Sequence, residues 1–292
     1  MTIDTRDALI SALGNDHDKV LWDKASISSQ VSGQMSSLWR ATGLPAQGAI
    51  PTTAAYCTSA LLGSIAITNQ TAPAVGYIAW HSLTTGNANS NLEIHDRLAH
   101  MGGLVGNITT AQNVLIDLST INAGGPVGDS RLGAADYSDV TWWLEWYTAT
   151  GATVVTATVA VTYNDGTTGN LTAQSLAATR PASHMISLNA LIPAAAAGKY
   201  IRGVTSVTLS ATTATAGSFG VTATRVRSAI GAPIANYKVT ADWAQLGLPQ
   251  VANGACLFPI VLTSTTSSGT VRGGGKILFF GNGGSAAEAD MV

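Results

Sequence analysis

The sequence predicts a mostly β protein: an antiparallel β-sandwich or jelly-roll-like domain with an extended N-terminal arm and a C-terminal tail. The stretch VVTATVAVTY, residues 154–163, alternates Val with Thr or Ala, the period of a half-buried strand. Asn164-Asp165-Gly166 follows at once and is a strong hairpin signal. Short β-branched and aromatic segments recur over residues 140–226 without the strand–helix alternation of a parallel sheet.

Four segments follow from this pattern. Residues 1–50 are predicted to be an arm with a short helix over 6–13, capped by Asp4 or Thr5 and ended by Gly14. Residues 51–130 form a β-rich connecting region, 131–260 the sandwich core, and 261–292 a Gly/Ser/Thr-rich tail. Because the arm and the tail lack periodicity, we expect residues 1–50 and 260–292 to make few contacts within their own subunit.

Individual strands are predicted from short segments rich in β-branched and aromatic residues. Before the core, residues 64–68 and 77–80 are strand candidates, whereas 92–101 are expected to be a helical turn or a loop. Residues 237–273 are expected to be extended segments that cover the sandwich or reach a neighbour. Inside the core the predicted strands are 142–147, 154–163, 169–175, 185–188, 204–210 and 219–226.

The composition is poor in charge. Charged residues make up 10% of the 292 residues, against about 25% in an ordinary soluble protein. A free cytosolic protein keeps more surface charge for solubility, so this composition suits a surface that lies against neighbours. The net charge is -2 and no Lys/Arg cluster occurs, which argues against nucleic-acid binding through phosphate neutralisation.

The first residues and the most apolar stretch bear on whether the chain is secreted or inserted into a membrane. The first ten residues carry Asp4 and Asp7 and lack the apolar core of a secretory signal. The most apolar stretch, 53–68, is interrupted by Thr and Ser and is too short for a bilayer. We therefore expect synthesis in the cytoplasm without a membrane anchor. Cys57 and Cys256 lie among small apolar residues; buried free thiols are favoured, and a disulfide between them stays open.

Two clusters invite a ligand, and each has a simpler structural interpretation. His95 and His100 flank an Asp, but on a helix positions five apart point about 140° apart, so we expect no metal site and a hydrogen-bonding role for Asp96 and Arg97. Trp142, Trp143, Trp146 and Tyr147 resemble a sugar-binding platform in composition, yet such a run is more often the core of a sheet. No GxSxG elbow or paired acid motif is present. We predict no catalytic, cofactor-binding or metal-binding residues and no cofactor.

The last residues carry a local resemblance. GGGKILFFGNGGSAAEAD, residues 273–290, resembles the first strand, loop and helix start of phosphoheptose isomerases and other sugar-isomerase domains. The resemblance implies that Asn282 and Ser285 hold a sugar phosphate at the helix N-terminus. Only seven residues follow Ser285 in the sequence, whereas that family continues with several βα units. We therefore expect no working sugar-phosphate site and no chemistry at these two residues.

Three longer stretches carry a second resemblance: HDRLAHMGGLVGNITTAQ (95–112), ADYSDVTWWLEWYTATGATVVTATVAVTYNDGTTGN (135–170) and TSVTLSATTATAGSFGVT (205–222). Together they resemble a group of uncharacterised virion structural proteins of tailed bacteriophages, encoded among head and tail genes. The resemblance implies a non-enzymatic virion protein. We expect a capsid cement, decoration or minor head protein that forms a homo-oligomer, with a trimer as one symmetric arrangement, and whose partners include the major capsid protein. The alternatives are a tail or fibre protein that binds host glycan and, remotely, a sugar-phosphate isomerase-like protein.

Overall fold

A computed structural model describes residues 5–14, 20–27, 29–69, 75–122, 129–176 and 179–280. The fold is mostly β, and every strand pair is antiparallel, as predicted. The helices are α1 Arg6–Gly14, α2 Leu118–Asn122, α3 Asp129–Leu132 and α4 Trp243–Leu246. The first nine strands are β1 Val20–Lys24, β2 Met35–Ser37, β3 Gly43–Leu44, β4 Ala55–Tyr56, β5 Val75–Thr85, β6 Ser90–Leu104, β7 Gln112–Asp117, β8 Thr141–Thr148 and β9 Val155–Tyr163. The others are β10 Thr168–Asn170, β11 Gln174–Leu176, β12 Met185–Ser187, β13 Ile201–Leu209, β14 Ser218–Ala232, β15 Val239–Asp242, β16 Gln250–Val251, β17 Leu257–Leu262 and β18 Val271–Phe280.

The central sheet curls into a nearly closed barrel. Its strand order is β12-β8-β14-β6-β17-β2, and β4 also pairs with β6. The two edges meet where Ser36 of β2 forms an isolated bridge with His184. The Ser37 N–H also donates to the Ser183 carbonyl at 2.7 Å. Closure leaves few unpaired backbone groups at the sheet edges.

A second sheet packs on one side of the barrel and completes the predicted sandwich. Its order is β10-β9-β13-β7, with β11 also paired to β9. Between the two sheets lies one buried cluster, which we call the sandwich core. It includes Trp142, Leu144 and Trp146 from β8, and Trp146 stacks on Phe219 with ring centroids 5.6 Å apart.

A third sheet, β15-β5-β18-β1-β3 with β16 paired to β5, packs on the other end of the long barrel strands. β6 and β14 each have 15 residues, long enough to contribute to both sides. Leu92 and Ile94 of β6 and Ile230 of β14 therefore join a separate cluster with Trp22 and Val271. The long strands thus connect two cores that flank one barrel.

The best-predicted region is the hairpin. Residues 168–170 pair with 160–162 across the turn, and the Gly166 N–H donates to the Tyr163 carbonyl at 3.0 Å. Gly166 has φ +85°, a conformation that glycine adopts without strain. The alternation of β9 is confirmed, because Val155, Ala157, Val159 and Val161 all enter the sandwich core. At the N-terminal helix, the Thr5 hydroxyl accepts from the Ala8 N–H at 3.1 Å, as a cap does; Asp4 lies outside the described residues.

The expectation of few intrasubunit contacts is wrong for much of the arm and tail. In the arm, Trp22, Leu38 and Trp39 are buried. The buried Lys24 donates to the carbonyls of Ala41 at 3.1 Å and Pro45 at 2.5 Å, so residues 41–45 are tied to β1. The tryptophans supply the apolar area that the Ser/Gln-rich neighbours lack.

In the C-terminal segment, β18 lies between β5 and β1 in the third sheet. The KILFF segment, 276–280, is the second half of β18 and pairs with β5 of its own subunit, whereas β1 pairs with residues 271–274. Two local expectations are also corrected. Residues 92–101 belong to strand β6 rather than to a helical turn or loop. Residues 64–68 form no strand, and Ile65 makes only an isolated bridge with Leu257.

Candidate functional site

The barrel interior holds a charged network. Apolar side chains from several strands surround it: Trp39, Cys57, Trp143, Tyr147, Met185, Cys256, Phe258 and Ile260. At its centre Arg97 of β6 pairs with Glu145 of β8, with Nη1 3.2 Å from Oε1 and Nη2 2.5 Å from Oε2. Both side chains are fully buried. The guanidinium also lies 4.6 Å above the Trp39 ring and 5.0 Å above the Phe258 ring.

Hydroxyl groups complete the network from several sides. Thr222 of β14 donates to Glu145 Oε2 at 2.5 Å, and the Tyr147 hydroxyl accepts from Arg97 Nη2 at 3.0 Å. A side-chain hydrogen bond from Ser37 of β2 reaches Glu145 from across the barrel. Burial alone opposes ionisation of both partners, yet the Arg97 charge holds the pKa of Glu145 below its usual value. Both groups are therefore ionised. Side chains from four strands, β2, β6, β8 and β14, contribute to this ion pair and its hydrogen bonds.

A second charged cluster lies behind the same stretch of β6. Asp96 accepts from Arg131 Nε at 2.9 Å and Nη2 at 2.5 Å, and from the backbone N–H of Cys256 at 2.9 Å. Arg227 of β14 lies 3.7 Å from the same carboxylate. Arg131 also donates to the Cys57 carbonyl at 2.7 Å. The predicted hydrogen-bonding role of Asp96 and Arg97 is thus observed, and Arg131 fixes α3 to the barrel.

His95 and His100 have separate hydrogen-bond partners and do not point to a common site. His95 Nδ1 lies 2.9 Å from the Thr224 hydroxyl and Nε2 lies 2.8 Å from Glu93. His100 Nδ1 accepts from Arg97 Nε at 2.9 Å. Burial, followed by the Arg97 charge, lowers the pKa of His100 to about 2, so His100 is neutral. Among the described residues no group of three His, Cys, Asp or Glu side chains is placed to hold a metal.

The aromatic run is a core element and presents no platform. Trp142 and Trp146 face the sandwich core, whereas Trp143 and Tyr147 face the barrel interior. Because β8 is buried on both faces, none of the four rings lies on the surface. The glycan-binding interpretation of these residues is therefore wrong.

Cys57 and Cys256 are free, fully buried thiols that contact each other. This confirms the favoured prediction of two buried free thiols. Their mutual contact was not predictable from a separation of almost two hundred residues. Asn282 and Ser285 of the isomerase-like loop lie outside the described residues, so their expected lack of chemistry stays a prediction.

Part of the small complement of charged residues lies inside the molecule. Seven of the charged residues are buried: Lys24, Asp96, Arg97, Arg131, Glu145, Arg180 and Arg227. Several large apolar side chains are exposed instead: Ile10, Leu44, Tyr56, Leu62, Ile108, Leu115, Val154, Val226, Ile234, Tyr237 and Trp243. None of the described helices is long and apolar enough to cross a bilayer. A shallow groove of about 460 Å³ lies around β3 and is lined mainly by small and neutral side chains, with Asp23 its one carboxylate.

Comparison with known proteins identifies no family. No family model and no curated protein sequence match the chain. One solved structure that matches is that of infectious bursal disease virus, Gt strain. The match covers 92% of this chain and 82% of the viral chain, at 10% identity and a TM-score of 0.18. The VP2 subviral particle of the same virus covers 89% and 79%, at 11% identity and a TM-score of 0.16. At TM-scores this low the backbones do not superpose as one fold, and the likeness adds nothing to the account of this chain.

Proposed function

We propose that the chain is a non-enzymatic structural protein of a virion, and that it acts in a tailed bacteriophage as a capsid cement, decoration or minor head protein. The observation that carries the proposal is the distribution of charge. A composition already low in charge places Arg97, Arg131, Arg227, Asp96 and Glu145 inside the molecule, and apolar side chains lie on the surface. A surface of this kind gains free energy when it is buried against neighbours.

The fold supplies the rigidity that such a role requires. Apart from Ile10 on α1 and Trp243 on α4, the exposed apolar residues lie on strands or on the loops that join them. Exposed Leu115 lies on β7, an edge strand, and Val226 lies on β14. Modest contacts repeated over a symmetric shell add to a large stabilisation. The partners are other virion proteins, the major capsid protein first, and further copies of this chain, for which a trimer is one closed arrangement.

Removal and restoration of the chain test this role. Particles are prepared with and without the gene for the chain, and their heads are heated while genome release is followed by dye fluorescence. A cement protein predicts release at lower temperature from particles without the chain and recovery when purified chain is added back. Particles of unchanged heat stability that fail to adsorb to host cells would instead support the tail or fibre alternative. Unchanged stability and adsorption together contradict both.

A further inference from the structure

Cys57 and Cys256 occupy consecutive positions along one edge of β6. The Cys57 N–H donates to the Leu98 carbonyl at 2.9 Å, and the Arg97 N–H donates to the Cys256 carbonyl at 2.8 Å. Both β4 and β17 run antiparallel to β6, so the end of β4 meets the start of β17 at these two cysteines. One strand therefore brings together two chain segments that are distant in sequence.

The side chains meet as well as the backbones. The register of β6 shifts between Arg97 and Ala99, and this bulge at Leu98 changes the alternation of side chains along the edge. Cys57 and Cys256 then enter the same buried cluster inside the barrel and share a side-chain hydrogen bond. Two thiols that share a hydrogen bond lie close enough for a small movement to reach disulfide geometry.

We propose that Cys57 and Cys256 form a thiol–disulfide exchange site that takes a small-molecule disulfide of the glutathione class and closes into an intramolecular disulfide. In the first step the Cys256 thiolate attacks one sulfur of the glutathione disulfide. A mixed disulfide forms on Cys256, and one glutathione thiolate leaves. In the second step the Cys57 sulfur loses its proton to solvent and attacks Cys256, which releases the second glutathione. Two thiols are oxidised and one glutathione disulfide is reduced to two glutathiones.

The surroundings assign the two roles. The hydrogen bond from the Cys57 thiol lowers the pKa of Cys256, and the nearby Arg97 charge adds to this effect. Burial raises the pKa of Cys57. While these contacts persist, they favour Cys256 as the attacking thiol and leave Cys57 to resolve the mixed disulfide. In the unfolded chain either thiol can attack first.

The product is a covalent link across the gap between the end of β4 and the start of β17, which we call the barrel seam. It joins β4 to β17 on the edge of β6, where no peptide bond continues the strand. A reducing cytoplasm keeps the pair as thiols, whereas an oxidising medium that contains glutathione disulfide drives the exchange. Because both thiols are fully buried, exchange in the folded chain requires opening of this seam, so the reaction is slow when native and fast during refolding. The inference is independent of the virion role.

Refolding under oxidising conditions tests the proposal. The reduced full-length chain is unfolded in denaturant, refolded with glutathione disulfide, denatured again and treated with iodoacetamide. We expect no alkylation of either cysteine, a linked peptide pair that contains Cys57 and Cys256 within one chain, and recovery of both labels after dithiothreitol. The oxidised chain should also unfold at a higher temperature than the same chain after reduction.

Cys57→Ser and Cys256→Ser are the matched controls. Each keeps one thiol, so each should end as a glutathione adduct, with no rise in the unfolding temperature. If a serine variant does not fold, the peptide map of oxidised and reduced wild-type chain decides alone. Two free thiols, two separate glutathione adducts or a link between chains in refolded wild-type protein would overturn the proposal.

Discussion

A Cβ atom added to Gly220 of β14 would lie 1.9 Å from the carbonyl oxygen of Met101 on β6. These two strands form the most extensive pair of the barrel, with residues 218–232 opposite 90–104. The contact is with backbone on a paired strand, so no side-chain rotation relieves it. The close approach of β14 and β6 therefore depends on a glycine at this position.

Gly220→Ala should destabilise the chain by roughly 3 kcal/mol or more, because overpacking against a fixed backbone forces the strands apart. Gly231→Ala is the matched control on the same strand, since a Cβ there meets nothing within 4 Å. We expect the control to stay within about 0.5 kcal/mol of wild type. Urea unfolding followed by tryptophan fluorescence measures both. Equal effects of the two substitutions would refute the close-packing argument.

Arg97→Met should cost about 3–5 kcal/mol of unfolding free energy, because it leaves the Glu145 carboxylate buried without its partner. The control is Arg202→Met, which breaks a partly exposed pair with Asp117 at 3.0 Å and should cost at most about 1 kcal/mol. The double variant Arg97→Met, Glu145→Leu should recover much of the loss. Denaturant titration gives all three values. A loss below that of Arg202→Met would show that the barrel ion pair is not structural.

The stability should fall as the pH drops from 7 to 5. Burial lowers the pKa of His81 to about 4, and burial followed by the Arg180 charge lowers that of His184 to about 4. The unfolded chain, with His pKa values near 6.5, then binds more protons than the folded chain, so folding loses about 2 kcal/mol for each of these residues over this interval. His184→Gln should remove its share of the pH dependence whatever its effect at pH 7. An unchanged difference between pH 7 and pH 5 in this variant would contradict the assignment.

Much of the fold could be predicted wherever one face of a strand is buried. β9 shows the period-2 pattern because alternate residues enter the sandwich core, and the Asn164–Gly166 hairpin requires only local backbone chemistry. The sequence does not predict β6 as a strand, because its polar residues lie inside the barrel but have the pattern of surface residues. Nothing near Arg97 in the sequence shows that its partner is Glu145 on β8, 48 positions away. A signal was present, since Glu145 is a lone acid inside an aromatic strand and such an acid needs a buried partner.

The packed arm illustrates the other limit. Its Ser, Gln and Gly residues gave no periodicity, and short strands such as β2 and β3 are too brief to show any. Trp22 and Trp39 were the available signal, because a large aromatic side chain in a nominal arm predicts a place in a core. The position of these segments depends on closure of the barrel by Ser36 and His184, which is a tertiary event that local pattern cannot reveal.

The attachment of the chain to particles should depend little on salt. Its exposed residues are mainly apolar or neutral, and ion pairs contribute little to contacts of that composition. At about 1 M salt, charge interactions are screened beyond ~3 Å. An apolar contact does not depend on such interactions, so it should persist at this salt concentration. Sedimentation of particles at low and high sodium chloride, with immunoblotting of pellet and supernatant, measures the bound fraction. Release of most of the chain by sodium chloride would indicate an electrostatic interface instead.

The most direct test of the central claim is the location and copy number of the chain in purified particles. If the proposed role holds, gradient-purified phage particles can be labelled with a gold-conjugated antibody against the chain, and the chain can be quantified by mass spectrometry against the major capsid protein. A cement or decoration role predicts gold distributed over the head and a copy number that is a multiple set by the symmetry of the shell. Particles that contain none of the chain would contradict the claim that it is a virion structural protein.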